Sequence, residues 1–150
     1  MKKFLLIMAM ILPMVTFTAC SDDDKEEIVK QEVLFEEPSL EFGKDIPAIK
    51  NIEKRVLVNE TNTMLEYKGE GLVSSIIYAF NNTGMFGAIM KVPYNNYNEL
   101  SDFLGSKYKH VTTSDDMVIL STKDGKITVI LRVVKNEIQV VYGLSEDINK

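Results

Sequence analysis

The chain of 150 residues has one cysteine, one histidine and no tryptophan. A single cysteine builds no disulfide framework and no cysteine-based metal set. A single histidine, His110, leaves any metal site dependent on scattered carboxylates. The missing tryptophan weakens a carbohydrate-stacking platform, although 7 Phe and 6 Tyr remain. No basic stripe interleaves with aromatics, so the electrostatic footprint of a nucleic-acid binder is absent. Long apolar runs are missing too. The longest, Phe4 to Ala19, has 16 residues and is broken at Pro13, whereas a spanning helix needs about 20.

What is present begins with a tripartite leader. Lys2 and Lys3 form a positive start, Phe4 to Val15 an apolar core, and Phe17-Thr18-Ala19 a smaller-residue end. That is the layout of a secretory signal peptide. Thr18-Ala19-Cys20 resembles the lipobox of bacterial lipoproteins, although leucine is usual there where Phe17 stands. The resemblance implies cleavage after Ala19 and a diacylglycerol on Cys20, which becomes the first mature residue. Each methylene placed in lipid contributes about 0.8 kcal/mol, so several acyl chains make a lasting anchor. The only cysteine is then used, leaving none as a nucleophile.

Ser21 to Glu37 holds eight acids against two lysines, while residues 38–150 hold 14 acids against 13 Lys and Arg. Such a charged stretch buries too little apolar surface to offset its ordering entropy, and we expect a flexible tether over residues 20–37. Asp22, Asp23 and Asp24 resemble the surface-export signal of lipoproteins in one group of Gram-negative bacteria. Adjacent aspartates point in different directions and lack the glycine turn of a calcium loop.

Residues 38–150 have the size of one domain. A helical pattern runs from Asp45 to Lys54, with Asp45 as cap, Pro47 in the first turn and Ile46, Ile49 and Ile52 on one face. A second runs from Asn96 to Tyr108, where Asn96-x-x-Glu99 reads as a capping box. Its stripe is Tyr97, Leu100, Leu104 and Tyr108, with Phe103 beside them. Three strand-like segments follow each helix: Thr63 to Lys68, Leu72 to Asn81 and Met85 to Val92, then Met117 to Thr122, Lys126 to Val134 and Glu137 to Leu144. Asn81-Asn82-Thr83-Gly84, Lys123-Asp124-Gly125-Lys126 and Lys135-Asn136 read as hairpin turns.

The expected fold is therefore α+β: two α-β-β-β repeats forming an antiparallel sheet with two helices packed on one face. This pattern resembles PepSY-like and beta-lactamase-inhibitor-protein-like modules. The resemblance brings no functional residue with it.

Catalytic groups are few. His110, just past the second helix, reads as a helix-end histidine interacting with the carbonyl dipole. Ser114 and Asp115 lie near it in sequence, which is no evidence of a triad in space. Asp115 and Asp116 are neighbours in a polar turn, unlike the opposed carboxylates of glycosidases. Gly69-Glu70-Gly71 lacks the helix and lysine of a phosphate loop and reads as a bend. Tyr67, Tyr78, Phe80, Tyr94 and Tyr97 are assigned first to the core. We assign no catalytic residue, metal ligand or cofactor.

The remaining place for binding is the sheet face away from the helices, with Ile77, Ala79, Ile130 and Val134 as candidates, and Ile89 and Val141 beside them. The expected protein is a binding module, not an enzyme, held to the bacterial outer membrane by lipid on Cys20. Display at the cell surface is expected, with a periplasm-facing location as the alternative. A protein or a small molecule would occupy the open sheet face. The alternatives are an accessory subunit of an outer-membrane assembly and, further off, a small hydrolase of extracellular polymers.

Overall fold

The computed structural model describes residues 34–148. Ala19, Cys20, Asp22, Asp23 and Asp24 lie outside the described residues. The sheet has eight strands: β1 (Leu57–Glu60), β2 (Met64–Lys68), β3 (Ser75–Asn81), β4 (Gly84–Pro93), β5 (Lys109–Thr113), β6 (Met117–Ser121), β7 (Ile127–Val134) and β8 (Glu137–Leu144). Helix α1 (Ile46–Ile52) precedes β1, α2 (Tyr97–Lys107) follows β4, and the single turn α3 (Ser145–Ile148) follows β8. All strand pairs are antiparallel, in the spatial order β1-β2-β3-β4-β8-β7-β6-β5. An α+β fold is what the sequence pattern predicts.

Helices α1 and α2 are each followed by four strands rather than the expected three. The additional strands are β1 and β5, the two edges of the sheet. Every residue of β5 is exposed, so it carries no inward-outward alternation to read. Both edges also carry an irregularity, between Leu57 and Asn59 and between His110 and Thr112. Bulges of this kind twist an edge away from unwanted pairing.

The hairpins follow from their turn residues. The Asn81 carboxamide oxygen accepts from the Thr83 backbone N–H at 2.8 Å and from its hydroxyl at 2.7 Å. Gly84 then takes φ of 106°, and a Cβ there would lie 2.3 Å from the Gly43 carbonyl oxygen. Only glycine fits. The Asp124 carboxylate accepts from the Thr122 hydroxyl at 2.6 Å, while Gly125 takes φ of 73°.

Asp45 caps α1 as its position predicts, with Oδ1 accepting from the Ala48 N–H at 2.9 Å. Ile49 is fully buried, but Ile52 is 46% exposed, so the inward stripe is narrower than the spacing suggests. The capping box at α2 does not form. Asn96 makes no side-chain cap bond, and a 3-10 turn at Tyr94–Asn96 leads into the helix instead. Leu100 and Leu104 are buried, with Tyr97 and Phe103 packed beside them.

One parity of the sheet faces these helices. Across the strands, Tyr67, Ile76, Met90, Val140, Leu131 and Val118 form one row of that face. Tyr78, Ala88, Tyr142, Val129 and Leu120 form the next. These rows and the buried positions of both helices belong to one apolar cluster.

Described residues just before Pro38 are packed. Phe35 is only 3% exposed, bridges Gly71 and packs on Phe103 with ring centroids 5.4 Å apart. The carbonyls of Glu36 and Glu37 accept from Arg55 Nη2 at 3.3 and 3.1 Å. Two acids, Glu36 and Glu37, thus sit in a segment that is packed, because aromatic burial and hydrogen-bonded partners offset the charge.

Candidate functional site

The face opposite the helices carries a continuous apolar row. Strand register aligns Ile77 of β3, Ile89 of β4, Val141 of β8, Ile130 of β7 and Ile119 of β6. Neighbouring strands lie about 4.8 Å apart, so a row across five strands runs roughly 19 Å. All five side chains are partly exposed. β-branched residues suit this pleated surface, which is why the strands tolerate them outside the core. Ala79 and Val134 share this face as well, so all six residues expected there have the parity that points away from the helices. Ile119 completes the row and was missed in sequence, although its spacing from Met117 within the segment Met117 to Thr122 carried the signal.

Two further rows flank the apolar one. On one side the register aligns Ala79, Gly87, Gly143, Thr128 and Ser121, all small. On the other it aligns Lys68, Ser75, Lys91, Gln139 and Arg132. Arg132 donates to Gln139 Oε1 at 2.8 Å through Nη2, and Lys91 lies 3.9 Å from the Glu137 carboxylate. Lys68 and Arg132 have no carboxylate partner among the described residues. The surface is therefore apolar along its middle, with small side chains on one side and cationic ones on the other. It offers area for a partner rather than a group that would attack a substrate.

The other singled-out residues are not brought together as a reaction centre. His110 lies in edge strand β5 rather than at a helix end, with Nε2 2.7 Å from the Thr113 hydroxyl. Ser114, Asp115 and Asp116 form the turn between β5 and β6, where the Ser114 N–H donates to the Met117 carbonyl at 2.9 Å. Gly69-Glu70-Gly71 is the bend between β2 and β3, with Gly71 at φ of 60°. Among the described residues, no group of three or more His, Cys, Asp or Glu is placed to hold a metal. No described helix is long and apolar enough to cross a membrane. Tyr67, Tyr78 and Phe80 serve the core as expected, whereas Tyr94 stands exposed at the start of the turn into α2.

The helix side holds two polar clusters that sequence reading did not find. The Glu37 carboxylate accepts from the Tyr108 hydroxyl at 2.6 Å and the Tyr142 hydroxyl at 2.9 Å, and pairs with Lys107. Glu53 accepts from the Tyr78 hydroxyl at 2.5 Å and from Arg55 Nη1 at 2.8 Å. Arg55 is itself buried, its side chain 5% exposed. Burial, followed by the hydrogen bond to Glu53, raises the Tyr78 pKa well above the usual phenol value. Tyr108 is raised by burial and by its bond to Glu37, and Tyr142 by burial and the nearby Glu37 charge. Each phenol is thus held protonated as a donor. These clusters fasten the segment around Glu37 to the sheet and to α1, and Glu37, Glu53 and Arg55 also border a hollow of about 320 Å³.

Beside α2 the helix side also opens into two adjoining hollows of about 280 and 190 Å³. Both are lined by Tyr97, Val118 and Leu131; the larger is bordered by Asp115 and Asp116 and the smaller by Gly105 and His110. Comparison with protein-family models, curated proteins and solved structures gives no match to this chain.

Proposed function

We propose that the chain is a lipid-anchored envelope module that binds a protein partner across its open sheet face. The observation that carries the binding reading is the row Ile77, Ile89, Val141, Ile130 and Ile119, partly exposed on the face away from the helices. The cationic row at Lys68, Lys91 and Arg132 selects a partner surface that is apolar in its middle and acidic along one side. Like charges disfavour two copies placed with these rows against each other.

The anchoring half of the proposal rests on the leader and on Cys20, with Ala19 as the last residue removed and Asp22, Asp23 and Asp24 as the signal for outward display. That display would be at the bacterial outer membrane. Such a protein has no catalytic role of its own. We also read its two halves as copies of one helix-and-meander unit, since each supplies a helix followed by consecutive antiparallel strands.

A single experiment separates the two halves of the proposal. Wild type, Cys20→Ala and Ile89→Asp/Ile130→Asp are labelled with a fatty-acid analogue and recovered from native membranes. Cys20→Ala should lose the label, and the face variant should keep it while losing a stoichiometric partner at an unchanged melting temperature. Labelling that survives Cys20→Ala sinks the anchor, and a partner retained by the face variant sinks the docking surface.

A further inference from the structure

The groove on the helix side is a site of a different kind. Its floor is Val118 and Leu131, from adjacent strands in register. Val133, of the same parity as Leu131, is 44% exposed, so α2 leaves this end of the sheet uncovered. Along the helix wall the groove stays open at Gly105, where a Cβ would meet no atom within 4 Å. The Tyr97 ring stands where the two hollows meet, 6.2 Å from the Tyr94 ring.

Asp115 and Asp116 border the outer hollow, and neither carboxylate has an ion-pair partner among the described residues. A ligand with an apolar body would fill the floor, and two uncompensated negative charges at the mouth select its head. An ammonium group there is attracted by the carboxylate charge, and the Tyr97 ring borders the same hollow, a combination that favours organic cations. An anionic head meets repulsion at the same place.

We infer that the groove between α2 and the β5–β6 turn binds a small amphiphilic cation, with its ammonium head at Asp115 and Asp116 and its apolar body over Val118 and Leu131. This site is independent of the open sheet face, which lies on the opposite side of the sheet. Two probes of equal chain length and opposite charge test it: octyltrimethylammonium and octanoate, titrated into the full chain by calorimetry with amide shifts followed by NMR. The ammonium should bind, with shifts centred on Tyr97, Gly105 and Val118, and octanoate should bind about tenfold or more weakly than that. Asp115→Asn/Asp116→Asn should weaken the ammonium by about tenfold and leave octanoate no weaker, because the exposed charge attraction is modest and acts on the cation alone. Gly105→Leu should block the ammonium by filling the inner hollow; its melting curve shows whether it folds, and the asparagine pair decides the matter if it does not. No binding of the ammonium, equal binding of the two probes, indifference to the asparagine pair, or shifts centred on Ile89 and Ile130 would each overturn the assignment.

Discussion

Glu37 shows how one side chain changes role between sequence and fold. In sequence it closes an acidic run, and composition alone assigns it to a solvated tether. In the fold its carboxylate is the shared acceptor of two tyrosines, 71 and 105 residues away in the chain. No local pattern encodes partners at that separation, so the cluster was illegible until the sheet was assembled. Glu37→Ala leaves two buried hydroxyls without their acceptor and should cost about 2–4 kcal/mol, read by urea unfolding. Lys107 is half exposed and adds little to that figure. A second expectation concerns pH. Tyr78, Tyr108 and Tyr142 all have folded-state pKa values raised above the ordinary value of 10.0. Below pH 10 both states keep these protons, so stability is unaffected by them. Above it the unfolded chain loses protons that the folded chain retains, and stability should fall as pH rises toward the folded values. Urea midpoints measured from pH 9 upward check this, and Tyr142→Phe should flatten the decline. A midpoint insensitive to alkali would show that the phenols are not held by the fold.

At the scale of elements, the central strands were legible because burial on one face imposes a period of two. The hairpin turns were equally plain, since Gly84 and Gly125 occupy positive φ where the turn demands it. The edges escaped for the same physical reason: β5 buries nothing, so no periodicity marks it. The open-face residues were readable as one parity, but their alignment into a row needed the pairing of β4 with β8, which joins residues far apart in the chain. Helix α1 spans only seven residues and is held to the sheet chiefly by Ile49. Ile49→Ala should therefore cost about 2–5 kcal/mol, whereas Ile52→Ala, at an exposed position, should stay within about 0.5 kcal/mol. Chemical denaturation of the two variants side by side measures the contrast. Similar losses for both would mean that the helix packs by a wider stripe than its burial indicates.

The whole molecule inherits a constraint from its strand order. β4 and β8 lie side by side at the centre of the sheet, yet they are the last strands of the first and second halves of the chain. During synthesis the first half can pair β1 through β4 as consecutive hairpins, whose contacts are local and close quickly. The outer side of β4 then waits, with its backbone donors and acceptors unpaired, until the ribosome has released residue 144 as the end of β8. In that interval the nascent chain presents a long apolar template (Met85, Ala88, Met90 and Val92 on one side, Ile89 on the other) to any second copy nearby. A fragment ending at Pro93 should accordingly self-associate in sedimentation, and a peptide of residues 137–144 should suppress that association by supplying the missing strand. The vulnerable moment in this protein's life is thus set by the order of its strands: its centre is completed last.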